Sequence, residues 1–350
     1  MMLNSILRLP TPTNLSYNWG FGSLLGIILT MQIISGLFLT FQYSPNVAFT
    51  QLLHIMQDMS SGWLIRYIHS NGASFFFIFL YFHIARGLFY KSFKMKQTWM
   101  LGVTIYLMVM ITAFLGYILP WGQMSYWGAT VITNLISSLP YIGNTCVIWF
   151  WGGYSISTFT ISRFFSLHYI LPFLILVMVI LHLAYLHKSG SSNPLSLPLN
   201  SDKMNFHPLY TMKDSIGFII PFFFLSMVVM VSPFIFMDSD NFEEANFMRT
   251  PPHIQPEWYF LFAYSILRSV PNKLGGVIMM MFSIFILYLL PFFLKQLTSI
   301  WYKLVCIIQF VVFIFLTWLG AMGVEFPYIF LGQLMSVLYF VNFIVLMLMS

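Results

Sequence analysis

The chain of 350 residues is 59% hydrophobic and only 7% charged, and its mean hydropathy is +0.84. So few charges cannot cover the surface of a soluble globular protein, so the composition predicts a membrane protein with several spans and no nucleic-acid partner. The two cysteines, Cys146 and Cys306, belong to no CxxC or CxxCH motif. Their placement argues against covalent haem attachment, a zinc ribbon or a disulfide framework.

Eight apolar segments predict eight membrane-spanning helices, because each has about the length that a helix needs to cross the hydrocarbon core. In chain order the segments cover residues 19–42, 62–90, 98–119, 159–187, 213–237, 274–294, 303–322 and 329–349. The N-terminal lead-in has no apolar block of the cleavage type, so no cleavable signal peptide is expected. The uncharged, Pro- and Gly-broken segment after the third span predicts short helices at the membrane surface.

The polar Ser/Asn/Pro linker at 188–212 is the clearest division of the chain. We therefore predict an all-α membrane protein with two domains of four transmembrane helices each. The first domain covers residues 1–195. The second covers residues 196–350 and includes the long loop 238–273 with the sequence PEWY at 256–259.

The distribution of charges supports the count of eight. If the spans alternate in direction, ten of the 15 Lys and Arg residues and both termini lie on one side, while most acidic residues lie on the other. This is a positive-inside pattern, which an odd number of spans would scramble. The ten residues of this basic side are Arg8, Arg86, Lys91, Lys94, Lys96, Lys188, Lys203, Lys213, Lys295 and Lys303.

Two spans carry a pair of histidines at the same interval. His69 and His83 lie 14 residues apart on the second span, and His168 and His182 lie 14 residues apart on the fourth. On an α-helix this interval is about 40° short of four turns and rises about 21 Å, so both rings share one face near opposite membrane surfaces. A single histidine in an apolar helix is more often a hydrogen-bonded packing residue. The repeat instead predicts two stacked bis-imidazole sites, the geometry that holds two haems.

Glycines repeat the same interval on the first and third spans, at Gly22, Gly36, Gly102 and Gly116. Glycines in membrane helices usually indicate close helix packing. Here they also leave space at the two depths of the histidines, which a flat macrocycle edge-on to a helix would need. Arg66 and Arg163 flank the histidines toward the acidic side and Arg86 does so toward the basic side. These cations could pair with haem propionates or simply extend to the membrane surface.

The chain resembles the mitochondrial cytochrome b family, which forms the membrane core of ubiquinol–cytochrome c reductase (complex III). The resemblance covers nearly the whole chain in the family's order. It is carried by FGSLLG (21–26), GWLIRYIHSNGASFFF (62–77), GYILPWGQMSYWGATVITNL (116–135), HPLYTMKD (207–214), PPHIQPEWYFLFAYSILRSVPNKLGG (251–276) and GQLMSVLYF (332–340). The single unsplit chain and the 14-residue interval favour the mitochondrial or bacterial type over the chloroplast relative.

The resemblance implies two non-covalent b-type haems, the low-potential one between His69 and His168 and the high-potential one between His83 and His182. It also implies a Q cycle, in which ubiquinol is oxidised at the acidic side and ubiquinone is reduced at the basic side with proton translocation. The implied partners are a Rieske iron–sulfur protein, a c-type cytochrome and other complex III subunits in a dimeric complex. The implied location is the mitochondrial inner membrane, with both termini on the matrix side.

The resemblance places quinol oxidation at the PEWY segment. Glu257 would accept a quinol proton, Tyr264 would lie nearby, and the region of Phe114 and Gly128 would line the pocket. A carboxylate after Pro256 could otherwise be an ordinary first-turn acid that complements the helix dipole. A buried carboxylate beside tyrosines can also act as a proton acceptor.

The resemblance places quinone reduction on the basic side, at the ends of the fourth and fifth spans. His187 and Asp214 would supply hydrogen bonds and protons, and Ser191 and Lys213 would lie beside them. These four could otherwise be plain interfacial residues. Two departures from the family weaken this part of the resemblance: Ser192 stands where Asn is common, and Lys188 where Glu is common.

An alternative hypothesis is a transporter whose intramembrane histidines relay protons. Such a protein should show internal repeats and helices that are broken at the midplane. The sequence has no convincing inverted repeat, and Pro172 alone predicts an ordinary kink. The electron-transfer hypothesis is therefore preferred.

Overall fold

A computed structural model describes residues 8–195, 201–293 and 299–350. Four parts of the predictions lie outside these ranges: the first seven residues of the first predicted domain, the first five residues of the second, the last residue of the sixth predicted span, and Lys295.

The described chain is mainly helical, as predicted. Its α-helices are α1 (Phe21–Thr40), α2 (Ala48–Gln57), α3 (Gly62–Phe89), α4 (Lys96–Ile118), α5 (Gln123–Asn134), α6 (Gly143–Trp151), α7 (Thr158–Ser189), α8 (Leu209–Val231), α9 (Leu261–Ser269), α10 (Lys273–Phe285), α11 (Ile300–Gly320) and α12 (Tyr328–Leu348). The sequence did not predict α2 or a small antiparallel pair of strands, β1 (Pro10–Pro12) with β2 (Lys203–Asn205).

Seven of these helices are long and apolar enough to cross a membrane: α1, α3, α4, α7, α8, α11 and α12. Each of them matches a predicted span. A helix satisfies its own backbone hydrogen bonds, which a hydrocarbon environment requires. Large apolar side chains such as Ile180 on α7 and Ile219 on α8 are exposed on the outside of the bundle, as expected for surfaces that face lipid. The chain is therefore a multi-pass membrane protein.

The sixth predicted span is a broken helix rather than one continuous helix. At its start, Lys273 Nζ donates to Ser137 Oγ (2.9 Å), which lies between α5 and α6. After α10, two 3₁₀ turns continue to Phe292, whose ring centroid is 4.1 Å from the Nζ of Lys96 at the start of α4. A rise of about 1.5 Å per α-helical residue and 2 Å per 3₁₀ residue gives a length of about 30 Å. The segment therefore reaches from one end of the bundle to the other and makes the eighth crossing.

The N-terminal half is a four-helix bundle built from two helix pairs. Helix α1 packs along α3, and α4 packs along α7. Buried residues such as Ile28, Phe77, Val109 and Ile175 form part of one continuous core. Helix α7 begins with a capping box between Ser157 and Thr160, which satisfies backbone groups at its first turn.

In the C-terminal half, the short helix α9 packs against α10, α11 and α12. The close approach of α9 and α11 depends on Gly320, because a Cβ there would collide with the carbonyl of Leu261. Tyr302, Leu316 and Leu346 are fully buried and belong to the same core cluster as Phe77. The core therefore continues from the first bundle into the second half.

Segments that alternating spans would place on the same side of the membrane lie together at each end of the bundle. At the end we call the basic end, Lys91 Nζ donates to the Met349 carbonyl (3.0 Å), and Ser92 Oγ and Ser192 Oγ are 3.0 Å apart. At the opposite, acidic end, the backbone N–H of Gln123 donates to the carbonyl of Glu243 (3.0 Å). The short helices α5 and α6 lie at this acidic end, where the sequence predicted surface helices.

Candidate functional site

The four histidines of the repeated pattern come together in two pairs between α3 and α7. The ring centroids of His69 and His168 are 6.2 Å apart, with ring planes at 83°. Those of His83 and His182 are 6.4 Å apart, with planes at 56°. The structure thus joins one histidine of each helix at each depth, in the pairs that the sequence predicted.

The separation of the rings suits one metal ion between them. With about 2 Å from metal to nitrogen and about 1.1 Å from nitrogen to ring centre, two rings on opposite sides of a metal have centroids about 6 Å apart. Among the described residues, no group of three or more His, Cys, Asp or Glu could hold a metal ion. Each pair therefore offers two ligands only, which is what a haem iron needs when its macrocycle supplies the other four.

Hydrogen bonds of the ring Nδ1 atoms determine which ring nitrogen carries the proton in the His69–His168 pair. His168 Nδ1 lies 2.8 Å from the carbonyl oxygen of Thr112, which can only accept, so Nδ1 is the donor. His69 Nδ1 lies 2.9 Å from Ser35 Oγ. The Ser35 hydroxyl itself donates to the carbonyl of Met31 (2.8 Å), so it too accepts from the imidazole. Both neutral rings then keep an unprotonated Nε2, the form that binds a metal.

The second pair differs in its contacts. One guanidinium nitrogen of Arg86 lies 3.2 Å from His83 Nδ1, and it can only donate. This contact places the proton of a neutral His83 on Nε2. The same guanidinium lies 5.4 Å from the ring centroid of Trp19. Metal ligation by His83 Nε2 therefore requires Arg86 to release Nδ1.

Each of the four predicted glycines lies against one histidine ring and belongs to the helix that packs beside that histidine. A Cβ at these positions would stand at the following distances from the imidazole Cε1 atom: Gly36 to His69, 3.0 Å; Gly22 to His83, 3.4 Å; Gly116 to His168, 2.5 Å; Gly102 to His182, 3.0 Å. Contacts below about 3.4 Å are tighter than ordinary van der Waals packing. The four glycines therefore give the rings the space to turn edge-on between the helix pairs.

A cavity of ≈ 700 Å³ connects the first histidine pair with the PEWY segment. Its lining includes His69, His168, Arg66, Glu257 and Tyr259, with mostly apolar residues between them. An apolar cavity with a few polar groups at its wall is typical of a site for a hydrophobic small molecule. A carboxylate and a pair of imidazoles thus line one cavity.

Glu257 stands directly before the 3₁₀ turn Trp258–Phe260 that leads into α9. Burial raises the pKa of its carboxyl most, and the nearby charge of Asp238 adds to this; with the opposing charge of Arg66, the pKa is about 8. A carboxyl group with such a pKa exchanges a proton near neutral pH, as a general base must.

Three other residues of the predicted oxidation site lie apart from this cavity. Tyr264 on α9 donates its hydroxyl to the carbonyl of Ile254 (3.1 Å). Phe114 on α4 packs against Phe164, at a centroid distance of 6.5 Å. Gly128 on α5 is buried, with open space where a Cβ would stand. None of the three is among the residues that line the cavity, as far as the described ranges extend.

The predicted reduction-site residues gather at the basic end around the N-terminal segment. Lys213 Nζ donates to the carbonyl of Leu15 (2.6 Å). A Cβ on Gly20 would lie 3.0 Å from Asp214 Oδ1. His187 and Ser191, near the end of α7, are both half-buried.

Ser192 takes part in this cluster too, because the indole N–H of Trp19 donates to its hydroxyl (3.3 Å). The sequence reasoning missed the role of Trp19, just as it missed Ser35 and Thr112 beside the histidines. Ser35 precedes Gly36, and Thr112 lies one helical turn before Gly116. A search for hydroxyls and carbonyls near the spaced glycines could have found both.

A membrane-spanning helical bundle with two facing histidine pairs is the class of protein that this fold and site define. Residues 6–190 match the family described as cytochrome b/b6/petB, and residues 244–340 match the one described as cytochrome b (C-terminal)/b6/petD. The chain therefore belongs to the cytochrome b/b6 family, and membership of a cytochrome family implies haem binding. It is also similar to a chain of a solved structure described as "Hyperthermophilic respiratory Complex III", at 33% identity and a TM-score of 0.93. That alignment covers 99% of this chain and 94% of the other. These findings favour the electron-transfer hypothesis over the transporter.

Proposed function

We propose that this chain is the haem-bearing subunit of a quinol–cytochrome c oxidoreductase. It would oxidise ubiquinol at the acidic end and reduce ubiquinone at the basic end. The observation that supports this most directly is the pairing of His69 with His168 and of His83 with His182 at two depths of one bundle. The similarity to a chain of a respiratory complex III supports the same assignment.

The two histidine pairs would hold two b-type haems through their Nε2 atoms. Bound haem would supply a one-electron carrier at each depth. Ser35 and the carbonyl of Thr112 orient the first pair and fix its tautomers. The glycines Gly22, Gly36, Gly102 and Gly116 would give clearance for the rings and for the edges of the macrocycles.

Two arginines would neutralise the propionate groups of the haems. Arg66 lines the cavity beside His69, and Arg86 lies beside His83. Guanidinium groups bind carboxylates bidentately, which a lysine cannot do. Binding of Arg86 to a propionate would also release Nδ1 of His83 and free the ring to change tautomer.

Quinol oxidation would take place in the cavity at the acidic end. The cavity is apolar enough for a lipid-soluble ring, and Glu257 at its wall would accept a quinol proton. In its protonated state the carboxyl group would then release the proton toward the acidic end, where Asp238 also lines the cavity. Tyr264, Phe114 and Gly128 would act around this site, at its margins.

Quinone reduction would take place at the basic end, among His187, Ser191, Lys213 and Asp214. A histidine and a carboxylic acid at one site can donate the hydrogen bonds and the two protons that a quinone takes up on reduction. The N-terminal segment closes this region through Trp19 and Leu15. Proton uptake here and release at the acidic end would build a gradient.

The assembly would include a Rieske iron–sulfur protein and a c-type cytochrome. We propose a dimeric complex in the mitochondrial inner membrane, with both termini on the matrix side. The two domains would be the haem-binding half, residues 1–195, and the second half with the PEWY loop, residues 196–350.

A reduced-minus-oxidised optical spectrum of the purified complex tests the proposal. Two b-type α-band components, each titrating as a one-electron couple, are expected from this chain. A spectrum without b-type absorption, or turnover that does not depend on quinol, would refute the proposed function.

A further inference from the structure

Helix α3 contacts the PEWY segment through three side chains. Ser74 Oγ accepts a hydrogen bond from the indole N–H of Trp258 (3.1 Å). The ring of Phe77 stacks on Tyr259 with centroids 4.0 Å apart and planes at 2°. The hydroxyl of Tyr81 donates to the carbonyl oxygen of Tyr259. Two hydrogen bonds and one ring stack therefore attach α3 to the two residues that follow Glu257.

The spacing of these three residues places them on one face of α3. At about 100° per residue, Ser74, Phe77 and Tyr81 lie within an arc of about 60°. On the same scale His69 and His83 lie on the opposite face, about 140–180° from Ser74. Helix α3 thus carries two histidines on one face and contacts the PEWY segment with the opposite face.

The contacts are enclosed and directional. Ser74 is 2% exposed, Phe77 1% and Tyr259 4%, so water cannot replace the lost partners easily. Ser74, Phe77, Glu257 and Tyr259 all line the 700 Å³ cavity. General core packing would not require hydrogen bonds to a backbone carbonyl and to an indole N–H at adjacent residues.

We propose that Ser74, Phe77 and Tyr81 are positioning residues that hold the Glu257 carboxylate at the cavity wall beside the His69 site. This inference rests on the proposed function, because it assigns to the three residues the placement of the proton acceptor for quinol oxidation. They act on Glu257 through the 257–259 backbone. Ser74 and Phe77 also line the cavity, whereas Tyr81 does not, so Tyr81→Phe reports on positioning alone. Displacing a reacting group by about 1 Å can lower a rate by two orders of magnitude.

The test uses Ser74→Ala and Tyr81→Phe in the purified complex, each of which removes one hydrogen bond and little volume. The assay is oxidation of a short-chain ubiquinol by cytochrome c, with haem content read from the optical spectrum. Both variants should keep the two b-type haems and lose about tenfold in kcat, with a smaller change in KM. Unchanged turnover in both variants would overturn the inference.

Tyr302→Phe is the matched control. The Tyr302 side chain is fully buried and its hydroxyl also donates to a carbonyl of α3, that of Leu88 (2.8 Å), which lies outside the PEWY segment. Its turnover should stay within about twofold of the wild type. An equal loss of turnover in Tyr302→Phe would mean that any buried hydrogen bond to α3 affects turnover. That result would contradict a specific positioning role for Ser74 and Tyr81.

A double-mutant cycle with Glu257→Gln distinguishes a loss of Glu257 positioning from a general disturbance of the fold. If Tyr81 acts through the carboxylate, adding Tyr81→Phe to Glu257→Gln should cause no further loss of turnover. Equal losses in both backgrounds would overturn the inference while leaving Glu257 as the acceptor. If Glu257→Gln itself left turnover intact, the proposed role of Glu257 would fall, and the positioning role would fall with it.

Discussion

The Nδ1 atom of His168 donates to the Thr112 carbonyl at 2.8 Å, and this bond leaves the Nε2 lone pair of a neutral ring, 6.2 Å from the His69 ring between centroids, available for a metal. Ser35 does the same for His69. One pair of histidines is therefore held in the ligand tautomer by a hydroxyl and a backbone carbonyl of the two adjoining helices.

Ser35→Ala should weaken haem binding at the first pair. The substitution removes the acceptor of His69 Nδ1, and loss of such a partner typically lowers metal affinity about 10- to 100-fold. Haem retention during detergent washing, followed by the α-band amplitude, measures the effect. Thr30→Ala is a control, because that hydroxyl lies on the same helix and bonds only to the Gly26 carbonyl. Equal retention in both variants would contradict the role of Ser35.

Substitution of each of the four glycines by alanine should impair haem binding, and the loss should be larger where the new Cβ lies closer to a histidine ring. A Cβ at position 116 would lie 2.5 Å from the His168 ring, whereas one at position 22 would lie 3.4 Å from the His83 ring. Gly116→Ala should therefore lose the haem of the first pair, and Gly22→Ala should keep most of its haem. Gly26→Ala is the control, since nothing lies within 4 Å of its Cβ position. The opposite ranking in quantitative haem analysis would refute the steric account.

His83→Ala should lose one of the two haems and leave the His69–His168 site largely intact. The two pairs lie about 21 Å apart along α3, so removal of one ring leaves the contacts of the other pair unchanged. Pigment analysis should give about half the wild-type haem. His54→Ala, which changes an exposed side chain on α2, should keep both haems. A His83→Ala protein with full haem content would contradict the pairing.

The sequence was sufficient to predict the spans and the repeated 14-residue intervals of the histidines and glycines, because each depends on spacing along a single helix. The 14-residue interval alone places two rings on one face at two depths. Membrane helices are also read directly from apolar length. These features need no knowledge of which helix packs against which.

Contacts between distant segments could not be predicted in this way. Ser74 and Trp258 are 184 residues apart, and nothing in either local sequence indicates that they bond. The break in the sixth span was missed for another reason: apolar length alone predicted the span, although Pro291 cannot donate the backbone hydrogen bond that a continuous helix needs there. Trp19 and Ser192 were likewise joined only by the fold.

Quinol oxidation should depend on pH through the Glu257 carboxyl. Burial raises its pKa to about 8. The proton acceptor is the ionised form, so turnover should rise with pH toward a plateau above about pH 8 and fall below it. A raised pKa also means that the folded state binds this proton more tightly than the unfolded chain. The associated stability is thus present at low pH and is lost as the pH rises toward 8.

Asp238→Asn should move this activity profile to lower pH. The negative charge of Asp238 raises the pKa of Glu257, so its removal favours the ionised acceptor and extends turnover into more acidic solution. Asp58→Asn is a control, because that carboxylate is exposed and paired with His54 (2.8 Å). The midpoint of the pH–rate profile in the purified complex measures both variants. If the midpoint in Asp238→Asn did not move, or moved to higher pH, the fall in turnover at low pH would be due to a group other than Glu257.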